Sequence, residues 1–363
     1  MLKPGGNNQA FPLDILDILI FDMDGVLIDV SQSYRKTIEK TIQIYLGTCL
    51  GLKSGRKKLT LDEAISLFKA AGGFNNDWDL TSGLLLYLLS VSGLPPSSER
   101  KKFYRTEEVA GYLKARSSEV TRKMEVRLSL PRLSSFLRKV KAYGGGLKGV
   151  HQTLRSSWEG WVYGSGDLNE ENVTKRIFQE VYLGKKFASC YPFRRLFYHG
   201  KGYYLHEKML IPRSILSALR KNIRLGIASG RPRFEAELAL RRFHLLPYFE
   251  SIVTLDECEK AEAQLRDEKG KRVKLTKPHP YPLLRAIEEI GLSNPRCGYV
   301  GDVVDDILAA RAAKRRLPML AIGFLSGTRI RTLEEALRQA GSDRVIRHPR
   351  ELLSLGVHTQ GEA

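Results

Sequence analysis

The stretch DILIFDMDGVLIDV, residues 17–30, joins a run of apolar residues to three carboxylates. The apolar run at 15–21 is typical of a buried strand, and Asp22, Asp24 and Asp29 follow it directly. In parallel α/β sheets, ligands bind beyond the carboxyl ends of the strands. Clustered charge at such an end therefore predicts a functional site, which would need polar groups from other strand ends.

Five apolar runs predict buried strands, and stretches with helical periodicity separate the last four. The strands are predicted at 15–21, 223–228, 251–255, 297–300 and 319–323, with a weak sixth at 344–347 and helices at 233–244, 280–291 and 304–315. Alternating strands and helices indicate parallel β-α-β units. The fold class predicted is α/β, with a Rossmann-like parallel sheet flanked by helices.

The first and second strands are separated by about 200 residues with little strand character. Amphipathic patterns predict helices there at 34–46, 61–72 and 77–90. We expect a large helical cap domain at 31–207, inserted into a core domain of 1–30 and 208–363. The cap is enlarged by an extra segment at about 95–175, which would either decorate it or help it to close.

Polar groups also follow the other predicted strands. The second strand ends at Ser229, Gly230 and Arg231, Lys277 precedes the helix at 280, and the fourth strand ends at Asp302, followed by Asp305 and Asp306. Such groups suit phosphoryl transfer: one carboxylate can attack phosphorus, and a second can move protons. A hydroxyl and an ammonium can hold phosphate oxygens, and further carboxylates can bind Mg²⁺.

Four ordered motifs, "DMDGV", "ASG", "KP" and "GDVVDD", resemble those of the haloacid dehalogenase superfamily of Mg-dependent phosphatases. The helical insert resembles the C1-type cap of its phosphoglycolate-phosphatase-like subfamily. Asp24 argues against the dehalogenases of that superfamily, which lack a second aspartate. "MDGV" does not match the motif of its transport ATPases.

The resemblance implies roles for individual residues. Asp22 would be the nucleophile and Asp24 the general acid and base. The phosphoryl group would be bound by Ser229, Gly230 and Lys277. Mg²⁺ would be held by Asp22, the backbone carbonyl of Asp24, and Asp302, with Asp306 as the second acid of the fourth motif and Asp305 as the alternative.

Residues outside the motifs have two interpretations each. In "GGFNNDW" (72–78), Asn75 and Asn76 could bind substrate or cap a helix, and Trp78 is interpreted as a core residue rather than a pocket residue. Arg231 could reach a substrate anion or lie at the surface. The charged segment 256–276 is expected to be a solvated excursion.

Composition narrows the class of protein. There are 59 Lys and Arg against 40 Asp and Glu, and residues 100–160 hold 15 against 5, a local net charge of +10. This patch could meet a polyanion or form a solvated helical surface. The four cysteines show no paired spacing, which argues against a disulfide framework or a zinc site. No run is long enough to span a bilayer and no signal peptide is evident, so a cytoplasmic protein is expected.

The function predicted is a Mg-dependent phosphatase that hydrolyses a small phosphorylated metabolite through an aspartyl-phosphate. Two alternatives stay open. One is a phosphomutase of the same superfamily, and the other is a nucleic-acid-associated phosphatase or binding protein that uses the basic insert. The sequence leaves the substrate and the oligomeric state undetermined.

Overall fold

The computed structural model describes residues 16–52, 61–74, 76–120, 128–270, 273–325 and 331–356. The strands in this part of the chain are β1 (Ile18–Phe21), β2 (Ile28–Asp29), β3 (Lys208–Met209), β4 (Arg224–Ala228), β5 (Ser251–Val253), β6 (Cys297–Gly301), β7 (Met319–Phe324) and β8 (Arg344–Ile346). Six of them form one sheet in the order β5-β4-β1-β6-β7-β8, with every pairing parallel. The predicted α/β fold is confirmed, including the weak sixth strand.

Strand β1 lies in the middle of the sheet and positions the site. It pairs with β4 on one side and β6 on the other, so that Phe21 is level with Ile227 and Val300. All four of its residues are fully buried, because helices cover both faces of a parallel sheet. The residues that follow β1, β4 and β6 therefore emerge side by side at one edge.

The helices between β2 and β3 form the insert. They are α1 (Tyr34–Ile44), α2 (Asp62–Ala71), α3 (Asp77–Ser90), α4 (Thr106–Val120), α5 (Leu130–Ala142), α6 (Gly146–Leu154), α7 (Val173–Leu183) and α8 (Phe187–Cys190). The three predicted helices are present, the first continuing as a π-helical turn over Tyr45–Cys49. β2 and β3 pair antiparallel where the chain leaves and re-enters the core. Two-residue strands have no periodicity, so the sequence did not predict this pair.

The extra segment shares its core with the rest of the insert. Leu113, Leu137 and Trp161 are buried in the same apolar cluster as the residues of α1 to α3. The Tyr45 hydroxyl donates to the carbonyl of Trp161 at 3.1 Å and accepts from the backbone N–H of Tyr163 at 2.9 Å. The segment is therefore part of the insert's interior.

The helices after β3 pack on the sheet. They are α9 (Arg213–Leu219), α10 (Arg233–Arg242), α11 (Leu255–Lys269), α12 (Tyr281–Ile290), α13 (Val304–Ala313) and α14 (Arg331–Gln339). The segment 256–276, predicted as a solvated excursion, is helical as far as Lys269 in α11, and most of its described residues are exposed or partly exposed. Thr254 and Glu257 form a reciprocal capping box that starts this helix.

Two predictions from composition concern the cysteines and the length of the apolar helices. All four cysteines are free, in agreement with the absence of a disulfide framework. Among the described residues, no helix combines the length and apolar character needed to cross a bilayer.

Candidate active site

Asp22 follows β1 and lines a cavity of about 250 Å³ between the sheet edge and the insert. Lys277 Nζ donates to Asp22 Oδ1 at 2.9 Å and to Asp306 Oδ1 at 2.7 Å. Burial opposes the charge of this lysine, but the two carboxylates hold the pKa of Lys277 well above its usual value. Burial raises the pKa of Asp22 to about 7 against the attraction of Lys277, with the charges of Asp306 and Asp24 adding to the rise.

Asp306 anchors the end of β6. Its Oδ2 accepts from the backbone N–H groups of Asp302 at 3.1 Å and Val303 at 3.2 Å. Its Oδ1 accepts from Lys277 and lies 3.0 Å from the Tyr299 hydroxyl. Asp305 and Asp306, the two acids considered for the second position of the last motif, both line the cavity, and of the two it is Asp306 that contacts Lys277.

Three carboxylates cluster at the sheet edge. Asp22, Asp302 and Asp306 each offer an oxygen within 4.8 Å of the others. Burial, together with the charge of Asp306, raises the pKa of Asp302 well above its usual value. Such crowded hard oxygen donors fit Mg²⁺, whose charge would relieve the repulsion. Both oxygens of Asp306 are already engaged, so Asp22 and Asp302 are the better candidates for direct contact.

Asp24 and Asp29, the other carboxylates of residues 17–30, differ in their position relative to the cavity. Asp24 lines the cavity, but its side chain lies outside the acidic cluster found among the described residues. Its backbone carbonyl as a metal ligand stays a prediction. Asp29 Oδ1 accepts from the backbone N–H of Ser31 at 2.9 Å and is not among the described residues that line the cavity.

Gly25 permits the close approach of two strand ends. Its φ is +77°, and a Cβ at this position would lie 2.0 Å from Asp302 Oδ2. Both the backbone conformation and the space therefore exclude a side chain.

Ser229 and Gly230 follow β4 and line the cavity beside Asp22. The Ser229 N–H donates to the carbonyl of Val253 at 2.9 Å and so extends the pairing with β5. Ser229 Oγ accepts from the backbone N–H of Arg231 at 3.2 Å. Its hydroxyl hydrogen is thus left to donate to an anion.

Arg231 is buried, with 2% of its surface exposed, so the surface interpretation was wrong. Its Nε and Nη2 lie 2.7 and 2.6 Å from Asp24 Oδ1. Arg231 also lines the cavity and pairs with Glu207 at 2.9 Å, and its direct contact with substrate stays a prediction.

The insert supplies the opposite wall through α2, α3 and their connection. Lys69, Phe74, Asp77 and Trp78 line the cavity there. Lys69 Nζ lies 3.3 Å from Asp77 Oδ1. Burial disfavours its charge, but Asp77 and the more distant Asp302 and Asp24 raise the pKa of Lys69. Sequence reasoning missed this lysine because one basic residue in an amphipathic helix carries no signal.

The predicted substrate residues of the insert have other partners or lie outside the described residues. Asn75 is outside them. Asn76 is the N-cap of α3: its Oδ1 accepts from the Asp79 N–H at 2.7 Å, and its Nδ2 donates to Asp79 Oδ2 at 2.9 Å. The capping interpretation of Asn76 therefore accounts for its amide. Trp78 both lines the cavity and packs edge-on against Phe178 in the core.

Asp305 connects the insert to the core. Its Oδ2 accepts from the backbone N–H of Gly73 at 3.1 Å. Gly73 in turn lies against the turn before α6, where a Cβ would be 2.6 Å from the Gly146 nitrogen. The glycines of the "GGFNNDW" stretch thus serve close packing beside the cavity.

Known proteins similar to this chain were found by sequence and by structure. The haloacid dehalogenase-like hydrolase family matches residues 203–314. A protein of Phytophthora nicotianae named imidazoleglycerol-phosphate dehydratase is 25% identical over 297 residues, 81% of this chain and 41% of that protein. A phosphoglycolate phosphatase of Nitrosococcus oceani is 29% identical over 108 residues, 30% of this chain and 41% of that protein. The matches thus span about two fifths of the length of these curated relatives.

Among solved structures, an X-ray structure from a structural genomics consortium has a TM-score of 0.56 at 20% identity. The superposition covers 93% of this chain and 97% of the other. At this identity, the likeness shows the fold.

Proposed function

We propose that the chain, whose residues 203–314 match the haloacid dehalogenase-like hydrolase family, is a phosphatase that hydrolyses a small phosphorylated metabolite through an aspartyl-phosphate on Asp22. The observation that carries the proposal is the carboxylate of Asp22 at the cavity, with its Oδ1 held 2.9 Å from Lys277 Nζ. The phosphatase name of the Nitrosococcus oceani relative supports the same chemistry.

In the first step, a carboxylate oxygen of Asp22 attacks phosphorus, and the bond from phosphorus to the leaving oxygen breaks. Asp24 donates a proton to that oxygen, which departs as an alcohol. Ser229 and Lys277 hold the phosphoryl oxygens during the transfer. Splitting the hydrolysis in this way replaces one difficult displacement by two easier ones.

In the second step, water attacks the phosphorus of the aspartyl-phosphate. Asp24 takes a proton from this water, the bond from phosphorus to Asp22 breaks, and inorganic phosphate leaves. Bound Mg²⁺, held by Asp22, Asp302 and the backbone carbonyl of Asp24, would offset the negative charge of carboxylates and phosphate. Asp306 would keep Lys277 and Asp302 in place.

The volume of the cavity limits the size of the substrate. Its volume of about 250 Å³ fits a small phosphorylated metabolite. Lys69, on the wall that the insert supplies, is a cation that could face a second polar group of such a molecule.

The test is Mg-dependent release of inorganic phosphate from an aryl phosphate, followed by a screen of phosphorylated metabolites. We expect Asp22→Asn to lower turnover by at least about a thousandfold, because it removes the attacking oxygen. Rapid acid quenching of the native protein should trap phosphate on the peptide that contains Asp22. A phosphomutase would instead return an isomer of the substrate with little free phosphate.

Asp29→Asn is the matched control, since it makes the same chemical change outside the cavity. It should keep native turnover. An Asp22→Asn protein as active as the Asp29→Asn protein would overturn the covalent mechanism.

A further inference from the structure

The carboxylate of Asp24 is held by a chain of side chains that runs back into the insert. We propose that Glu207, acting through Arg231, is a positioning residue that aims Asp24 at the leaving oxygen. This inference rests on the proposed function, in which Asp24 is the general acid.

Arg231 is the link in this chain. Its Nε and Nη2 contact Asp24 Oδ1, its Nη2 also donates to Glu207 Oε1 at 2.9 Å, and its Nη1 donates to the Tyr182 hydroxyl at 3.1 Å. The three nitrogens of the planar guanidinium are thus all engaged. Because a planar fork accepts partners only in fixed directions, the position of Glu207 determines how Arg231 meets Asp24.

The ring of Tyr34 covers a face of the Arg231 guanidinium. Arg231 Cζ lies 4.8 Å from its centroid, and Tyr34 stacks on Tyr182 with centroids 4.4 Å apart. The guanidinium therefore cannot turn away from Asp24 without breaking this stack.

Burying the carboxylate of Glu207 costs free energy, and this cost points to a role for its charge. It is 3% exposed, and its Oε1 accepts from Arg231, from Tyr182 at 2.9 Å and from Ser33 at 3.4 Å. Its Oε2 has no hydrogen-bond partner in the described part of the chain. A neutral glutamine could supply the same accepting oxygen without the free-energy cost of burying a carboxylate. The charge is thus what holds Arg231.

The partners of Arg231 come from both sides of the molecule. Tyr34 and Tyr182 belong to helices α1 and α7 of the insert, and Glu207 directly precedes β3, where the chain returns to the core. Asp24 and Arg231 belong to the core. The position of the insert over the cavity therefore sets the orientation of the proton donor.

The consequence depends on the leaving group. A leaving oxygen of low basicity departs without a proton, whereas a basic one needs Asp24. Glu207→Gln keeps volume and an accepting oxygen but removes the charge. We expect this variant to lose less than about threefold in kcat/KM on 4-nitrophenyl phosphate but about 10- to 100-fold on phenyl phosphate.

The experiment measures a series of aryl phosphates on four proteins in Mg²⁺. These are the native chain, Glu207→Gln, Asp24→Asn and the double variant Asp24→Asn/Glu207→Gln. The dependence of rate on leaving-group basicity should steepen in both single variants, and Glu207→Gln should add nothing when Asp24 is already changed. Glu237→Gln, a partly exposed glutamate on α10 paired with Arg241, is the control and should leave the dependence unchanged.

Equal losses on all leaving groups, or an additive double variant, would overturn the positioning role. If Glu207→Gln does not fold, Tyr182→Phe decides, because it removes only the hydroxyl that donates to Glu207 and should steepen the dependence in the same direction. An inactive native chain, or an active Asp22→Asn variant, would instead overturn the proposed function.

Discussion

At the residue scale, two positions in and beside the site are constrained by the groups that pack around them. Gly25 lies so close to Asp302 that a methyl group would occupy the position of its carboxylate. Glu235 lies behind Tyr34, where Gln179 Nε2 donates to its Oε1 at 2.7 Å and the Tyr34 hydroxyl donates to its Oε2. Substitutions of Gly25 and of Glu235 test these contacts separately.

Gly25→Ala should destroy activity as well as lower stability. Gly51 has a similar φ of +63°, but a Cβ added there would meet no atom within 4 Å. Gly51→Ala should therefore cost only the left-handed backbone term, about 1 kcal/mol in the free energy of unfolding. Gly25→Ala should cost more and should weaken Mg²⁺ activation of phosphate release. Equal stabilities and Mg²⁺ activation curves for the two variants would contradict this account.

Glu235 should make stability depend on pH. Burial raises the pKa of this carboxyl from 4.5 to about 7, although its hydrogen bonds with Tyr34 and Gln179 oppose the rise. Between these values the folded protein binds more protons than the unfolded chain, so the free energy of unfolding falls as pH rises, by at most about 1.4 kcal/mol per pH unit. Glu235→Gln stays neutral and should gain stability relative to the native chain between pH 5 and pH 8.

Urea unfolding at the two pH values measures this difference. Glu237→Gln, on the same helix, provides the baseline. A constant difference between Glu235→Gln and the native chain would show that Glu235 does not titrate in this window.

At the scale of elements, the connection between α2 and α3 brings the insert to the site. Its Gly73 donates to Asp305 in the first turn of α13, and its other side packs on the turn before α6. One hydrogen bond thus joins a core helix to the wall of the cavity. Phe74, Asp77 and Trp78 of this stretch line the cavity, while Gly73 makes the contacts with the core and with the turn before α6.

Asp305→Ala should loosen this wall, whereas Asp305→Asn keeps an accepting oxygen and should loosen it less. A lost hydrogen bond of about 1 kcal/mol should speed exchange of the Gly73 amide by roughly fivefold in Asp305→Ala. The KM for the metabolite should rise several-fold in parallel. Unchanged exchange at Gly73 would show that the contact does not hold the loop.

At the scale of the whole molecule, the extra segment and the rest of the insert form one interior. Removing the segment at about 95–175 would take away the backbone groups of Trp161 and Tyr163 that pair with the Tyr45 hydroxyl, and would expose apolar residues of α1 to α3 that share this cluster. Helices α4 to α6 carry seven of the 15 basic residues of 100–160, and their apolar faces belong to this interior. A nucleic-acid role for that surface stays an alternative, to be tested by charge substitutions at exposed positions.

Leu113→Ala tests the shared interior. Leu113 is fully buried, so its truncation should lower the free energy of unfolding by about 2–5 kcal/mol. Leu205→Ala, at a position 45% exposed, should stay within about 0.5 kcal/mol of the native chain. A similarly small effect of both variants would contradict the burial of Leu113 in this interior.

The sheet and the residues at its edge could be predicted from the amino-acid sequence. Apolar runs bounded by charge identified all six parallel strands, because a strand buried on both faces has almost no polar residues. The order of the motifs then identified Asp22, Ser229, Lys277 and Asp302, since strand ends in a parallel sheet share one edge. These features depend on local composition and spacing, which a sequence contains directly.

The contacts between the insert and the core became visible in the folded structure and could not be predicted from the sequence. Lys69 in the cavity wall, the burial of Arg231, the link from Glu207 to Asp24 and the contact of Gly73 with Asp305 all join residues far apart in the chain. The capping box of α11 involves residues close in sequence, but the many charged residues of this segment obscured the helical pattern. Which buried charges pair with each other depends on the three-dimensional arrangement of the chain. One sequence pattern is compatible with many such arrangements, so it does not identify the pairs.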